Sequence, residues 1–224
     1  MILLTSDEKE RIARAVKEAE KNTGGEIVTA VIPESDDYAF RELLFGITGG
    51  LLVFVILLLF ISPFETLIDR LFWSDAPVLL PAALASVSLL SGALFYFLFQ
   101  IPVLDRLIIG RRSMAEAVKH RALRYFTESN VFDTLDRTGV LLFISILERR
   151  VELVADKGIN AKVAPDTWDR IVSSLVRSIG RKETGDAIVT AVREIGEVLA
   201  EHVPPREDDE NELSDGPVEL EKGS

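Results

Sequence analysis

The chain has no cysteine. That excludes disulfide bridges, a thiol nucleophile and thiolate metal sites. Histidine is almost as scarce. His120 and His202 stand far apart, so a histidine-based zinc centre would need carboxylates to complete it. There is no Gly-Lys-Ser phosphate loop, no Gly-x-Gly-x-x-Gly fingerprint and no Gly-x-Ser-x-Gly elbow. A net positive charge is missing too. The formal charge is −11, and residues 205–224 alone carry eight acids against Arg206 and Lys222. No nucleic-acid partner is expected from this balance, and residues 205–224 read as an acidic disordered tail.

The most informative absence is that of charge from two long stretches, residues 43–64 and 76–104. A helix needs roughly 20 apolar residues to cross a bilayer core, and both stretches exceed that. Residues 65–75 alone separate them. The reading is a transmembrane helical hairpin over residues 43–104; the alternative is a buried helical pair in a soluble protein. Neither stretch holds a charged side chain, so an ion path through one copy is not expected.

Flanking charge sets the expected orientation. Arg106, Arg111, Arg112, Lys119, Arg121 and Arg124 follow the second stretch, and Arg41 precedes the first. The connection holds Arg70 against Glu65, Asp69 and Asp75. Basic flanks stay in the cytoplasm, and the first residues lack the basic lead and apolar core of a secretory signal. The expectation is a multi-pass protein of the inner (plasma) membrane with both termini cytoplasmic. Its first partner would be the lipid bilayer, whose anionic headgroups suit the basic residues after the second stretch.

The remaining sequence reads as one α/β domain in two pieces, residues 1–38 and 113–204. Thr5 and Glu8 have capping-box spacing before a helix running to about residue 21. Asn22-Thr23-Gly24-Gly25 stops it, and residues 26–32 are β-branched like a strand. After the apolar stretches come a helix over 113–127, a nearly all-apolar strand over 140–146, a polar turn at Glu148-Arg149-Arg150 and a second strand over 151–154. An apolar run without alternation suits a strand covered on both faces. Helices follow over 165–178, with Asp166 as its cap, and over 185–202, ended by Pro204-Pro205. One helix and one strand cannot bury a core by themselves, so the two pieces are expected to complete each other.

Particular residues carry a family resemblance. Gly25-Glu26-Ile27-Val28 after an amphipathic helix, then Asp36-Asp37-Tyr38, then the run from Arg137-Thr138-Gly139-Val140 through Glu148-Arg149-Arg150-Val151-Glu152 to Ala155-Asp156-Lys157-Gly158-Ile159, resemble the TPM domain family in order and spacing. The resemblance implies an α/β sandwich with helices packed around a central sheet, here interrupted by the two-helix hairpin. It also implies a choice of roles. Some TPM-like proteins resemble weak acid phosphatases or bind calcium; others resemble assembly or maintenance factors for photosynthetic complexes, or auxiliary factors for receptors.

The acidic positions that the resemblance singles out are Asp36, Asp37, Asp136 and Asp156. Hard cations take several carboxylate oxygens, so calcium or magnesium is the metal such a set would hold if the strands bring it to one edge. A bound magnesium would activate water for phosphate-ester hydrolysis. Arg137 is the candidate phosphate-binding residue, because a guanidinium fork matches phosphate geometry. The bland reading of the same acids is helix capping and solvation in loops. Two functions therefore stand: a membrane protein that presents its domain at the cytoplasmic face to bind or assist other membrane proteins, and a divalent-metal-dependent phosphatase.

Overall fold

Four strands set the architecture in the computed structural model, which describes residues 3–72, 78–101, 109–179, 184–205 and 211–223. β1 (Ile27–Ile32), β2 (Val140–Ser145), β3 (Arg150–Ala155) and β4 (Val218–Glu219) form one sheet in the order β3-β2-β1-β4. β1 and β2 pair in parallel with Ile27 opposite Val140, β2 and β3 form an antiparallel hairpin, and β4 pairs in parallel with β1 at Ala30 and Val31. The chain divides into two units, one made of residues 1–36 and 111–224, the other of residues 37–110.

In the first unit, period-two alternation sends each strand's apolar residues to two separate cores. Ile27, Val31, Val140, Leu142 and Ile144 face α1 (Ser6–Glu20), α7 (Pro165–Ile179) and α8 (Thr184–His202). Val28, Ala30, Ile32, Leu141 and Phe143 face α5 (Arg111–Glu128). The result is a three-layer sandwich with helices on both sides of a mixed sheet. Thr5 and Glu8 make the reciprocal capping box at the start of α1. Asp166 lies in the first turn of α7, because Pro165 already occupies the first helical position, where a missing N–H costs nothing.

The tail corrects the sequence reading. Residues 211–223 are not a disordered appendage: they lay β4 against β1 and pack Leu213, Val218 and Leu220 on the α5 side of the sheet. Glu219, on the opposite face from Val218, accepts the Leu4 amide and pairs with Lys9 at 3.0 Å, while Lys222 pairs with Glu34 at 2.8 Å. Acidic composition obscured three apolar side chains with a sheet edge to cover.

The second unit contains α2 (Ala39–Leu59), α3 (Ile61–Phe72) and α4 (Leu79–Phe99). α2 and α4 are long and apolar enough to cross a membrane, with mean hydropathy 2.5 and 1.9. They approach closely through glycines. A Cβ on Gly50 would lie 2.9 Å from the Ser88 carbonyl oxygen, and one on Gly46 would lie 3.0 Å from that of Gly92. Gly46 and Gly50 form a GxxxG pair, the small-residue spacing by which apolar helices associate without polar groups. The connection, expected as a loop over 65–75, is helical through residue 72. Its apolar Phe64, Leu67, Ile68 and Leu71 alternate at helical spacing with Glu65, Thr66, Asp69 and Arg70. Asp75 and Arg106, on which the expected orientation also rests, lie outside the described residues.

Candidate functional site

The parallel pairing of β1 and β2 decides where the candidate aspartates go. Asp36 follows the end of β1, whereas Asp136 precedes the start of β2, so parallel strands send the two to opposite ends of the sheet. Six residues at about 3.3 Å each put those ends on the order of 20 Å apart. Asp156 follows β3, which runs antiparallel to β2, and so joins Asp136. Asp37 is next to Asp36 in the chain and accepts the Ala39 amide at the start of α2. The four carboxylates expected at one edge therefore fall into two pairs.

Where β2 begins, tight backbone packing holds Asp136, Arg137 and Asp156 together. The Gly158 amide donates to the Arg137 carbonyl and the Asp156 amide to that of Gly139, both at 2.9 Å. A Cβ on Gly158 would lie 2.4 Å from the Asp136 carbonyl oxygen, so glycine is required there. Arg137 adopts a left-handed backbone with φ of 59°. Its side chain folds back: Nη1 donates to the Phe132 carbonyl at 2.9 Å and the guanidinium lies 5.7 Å from the Phe132 ring centroid. The proposed phosphate ligand thus has a local role of its own. Asp156 Oδ1 caps α6 (Lys157–Asn160) by accepting the Lys157 amide at 2.6 Å, and its buried Oδ2 makes no hydrogen bond among the described residues.

The fit to calcium or magnesium follows from these positions. Such a cation takes six or more oxygens. At this end Asp156 already gives one oxygen to a helix cap and the Arg137 carbonyl accepts from Gly158, and two of the four candidate aspartates, Asp136 and Asp156, stand there. Among the described residues no group of three or more His, Cys, Asp or Glu side chains is arranged to hold a metal ion. The four-aspartate set does not fit the group.

At the other end, where β1 and β2 finish, a buried polar chain appears that sequence reading missed. The Ser35 hydroxyl donates to Ser145 Oγ at 2.8 Å, the Ser145 hydroxyl donates to Glu148 Oε2, and Glu148 Oε1 accepts the Ser35 amide at 3.0 Å. All three residues are buried. Glu148 had looked like part of a solvated turn. The only signal in sequence was a serine closing an otherwise apolar strand with a glutamate three residues on. Around this chain lie Arg149, itself left-handed with φ of 51°, and Arg150, whose Nη2 donates to the Arg111 carbonyl at 3.2 Å.

Two further carboxylates, half-buried Glu20 and buried Glu26, lie where β1 begins. Glu20 Oε1 accepts the Ile27 amide at 2.8 Å, and Glu26 Oε1 accepts the Glu212 amide at 3.2 Å, tying the tail to the sheet. Burial pushes the Glu20 carboxyl up to about 8, with the Glu26 and Asp215 charges adding to the rise and the Ile27 amide opposing it.

A three-layer sandwich completed by an N-terminal helix and strand, with a hairpin-bearing second unit in the chain between its parts, is the class of protein that these features define. A family model described as the TPM domain matches residues 106–198, and the chain carries a TPM domain. The matched region runs from α5 into α8; α1 and β1 lie outside it yet supply the central strand. The NMR structure of BA42 protein from the psychrophilic bacterium Bizionia argentinensis is similar, with a TM-score of 0.57 at 18% identity, covering 97% of this chain and 96% of that one. At this identity the likeness is one of fold. No curated protein matches the sequence.

Proposed function

We propose that this chain is a multi-pass protein of the inner (plasma) membrane. Its TPM domain would stand at the cytoplasmic face, where it binds, assembles or maintains other membrane proteins. One observation carries the reading. α2 and α4 are uncharged over most of their length and leave their large apolar side chains exposed, Leu51 by 60% and Leu89 by 74% among them. A core helix of a soluble protein would bury those side chains, and in a bilayer they have a solvent. The basic residues that follow α4 in sequence favour a cytoplasmic domain. A binding role is preferred to hydrolysis because the candidate acids are divided between two ends of the sheet and Arg137 is engaged by Phe132. Among the described residues the metal-dependent phosphatase has no such assembled set of groups to act through.

The absence of cysteine makes the test clean. Single substitutions Ser6→Cys, Asp69→Cys and Ser214→Cys would be probed in intact cells with a membrane-impermeant maleimide. Labelling of Asp69→Cys alone is expected before permeabilisation; labelling of either terminal position would overturn the orientation. Extraction of the chain by alkaline carbonate would overturn membrane insertion itself. For the binding role, mild-detergent extracts should show the chain in a complex with a second membrane protein on a native gel. Migration as the lone 24.8 kDa chain would count against it.

A further inference from the structure

Both points at which the first unit continues into the second lie at one end of its sheet. Residues 33–36 follow β1, and the Pro33 carbonyl accepts the Leu147 amide in the β2–β3 turn. Arg111 resumes the unit, and Arg150 at the start of β3 donates to its carbonyl. The β2–β3 turn is therefore flanked by both connections to the apolar helices, although it lies far from either in sequence. That turn carries Arg149 and Arg150, and the start of α5 carries Arg111 and Arg112.

Neither Arg111, Arg149 nor Arg150 makes an ion pair with a described carboxylate, and Arg112, 93% exposed, meets only Glu116 at 3.1 Å. The acids of this end are placed differently. Glu148 is consumed by Ser35 and Ser145, Glu34 is buried against Lys222, half-buried Glu152 on β3 feels the Arg150 charge, and Asp36 and Glu221 follow β1 and β4. Further out, Arg121 is not part of the cationic group: it is buried, pairs with Glu128 at 3.2 Å and lies 5.6 Å from the Tyr125 ring.

We propose that Arg111, Arg112, Arg149 and Arg150 form a docking surface for anionic lipid headgroups, by which the β2–β3 turn seats the TPM domain on the membrane. The proposal rests on the membrane reading above and adds to it a defined face and a lipid class. Guanidinium forks match headgroup phosphates, and both connections to the apolar helices lie beside the turn within this unit. Arg149 has a left-handed backbone and is exposed.

The experiment uses the full chain in nanodiscs of phosphatidylcholine, with or without phosphatidylglycerol. A small environment-sensitive fluorophore on Leu147→Cys, the only thiol, is quenched by nitroxide-headgroup lipid in proportion to docking. Quenching should rise with phosphatidylglycerol and fall in high salt, where the screening length drops to about 3 Å at 1 M. Arg149→Gln with Arg150→Gln should lower the docked-to-undocked ratio on the order of 25-fold, about fivefold for each charge near an anionic surface. Arg111→Gln with Arg112→Gln gives a second reading if the turn variant unfolds, which circular dichroism reports. Equal quenching in both lipids, or no loss in either variant, overturns the docking surface while leaving membrane insertion intact. A chain that does not enter nanodiscs at all overturns both.

Discussion

The main-chain amide of Ser35 donates to Glu148 Oε1 at 3.0 Å, across a sequence separation of 113 residues. The same carboxylate accepts from Ser145. One buried side chain thus joins the end of β1 to the end of β2. Replacing it by Glu148→Ala leaves a buried amide and hydroxyl without an acceptor, which costs about 3 kcal/mol or more for a charge-assisted pair. Urea unfolding of the purified protein in detergent should show the loss. Glu148→Gln, which can still accept the Ser35 amide, should lose less.

Glu20 predicts a pH dependence of stability. Its carboxyl is raised in the folded protein from an ordinary 4.5 to about 8, first by burial and then by Glu26 and Asp215. The folded state therefore holds a proton that the unfolded chain releases. This contribution is complete below pH 4.5 and is lost as pH rises to about 8. Unfolding midpoints measured across that window should fall with rising pH. In Glu20→Gln that fall should be shallower, because glutamine keeps the acceptor for Ile27 and never ionises.

Gly139 is a test of backbone packing at the start of β2. A Cβ there would sit 2.0 Å from the Val131 carbonyl oxygen, a contact that no rotamer relieves. Gly139→Ala should destabilise by about 3 kcal/mol or prevent folding, as overpacking against rigid neighbours does. Gly25→Ala meets Leu199 side-chain atoms at 3.1 Å instead and should be milder. Thermal melts of the two variants side by side check the order.

The helix pair gives a prediction of its own. Gly50→Leu would drive a side chain into the Ser88 carbonyl and Gly92. Loss of close packing between α2 and α4 should cost about 1–2 kcal/mol. A disulfide engineered between Ile47→Cys and Leu89→Cys, which line the same groove, reports it: oxidation yield should drop in the Gly50→Leu background.

Deleting residues 211–224 removes β4 together with the Lys9–Glu219 and Lys222–Glu34 pairs. The truncated chain should melt at lower temperature, and in the full chain the tail should resist limited proteolysis. Equal melting of both forms would return the tail to the disordered class.

Much of the sandwich was legible because its signals are local. Thr5 and Glu8 announce α1, and the apolar run at residues 140–144 announces a strand covered on both faces. β4 was not legible: two residues in an acidic segment become a strand only beside the free edge of β1. α3 was hidden by Ser62-Pro63 and four charged or polar residues, although its apolar residues keep helical spacing. GxxxG at Gly46 and Gly50 is a local signal for the close packing of α2 and α4. The division of the aspartates was invisible for a different reason. Whether β1 and β2 run parallel or antiparallel is a property of the pairing, not of either strand's residues, and that direction alone decides whether Asp36 meets Asp136.

The parallel union of β1 with β2 also constrains how the chain is threaded. Ile27 and Val140 must end up as neighbours, with both apolar helices synthesised between them. If those helices cross a bilayer, they must do so an even number of times, since an odd count would strand the first 36 residues on the side opposite their partners and no sheet could close. Until residue 145 has emerged, the first strand waits with both of its edges open, the kind of long-range pairing that folds slowly. Closing the sheet is thus a checkpoint on insertion: only a correctly threaded chain acquires a core, and a misthreaded one is left as an open edge for proteases to find.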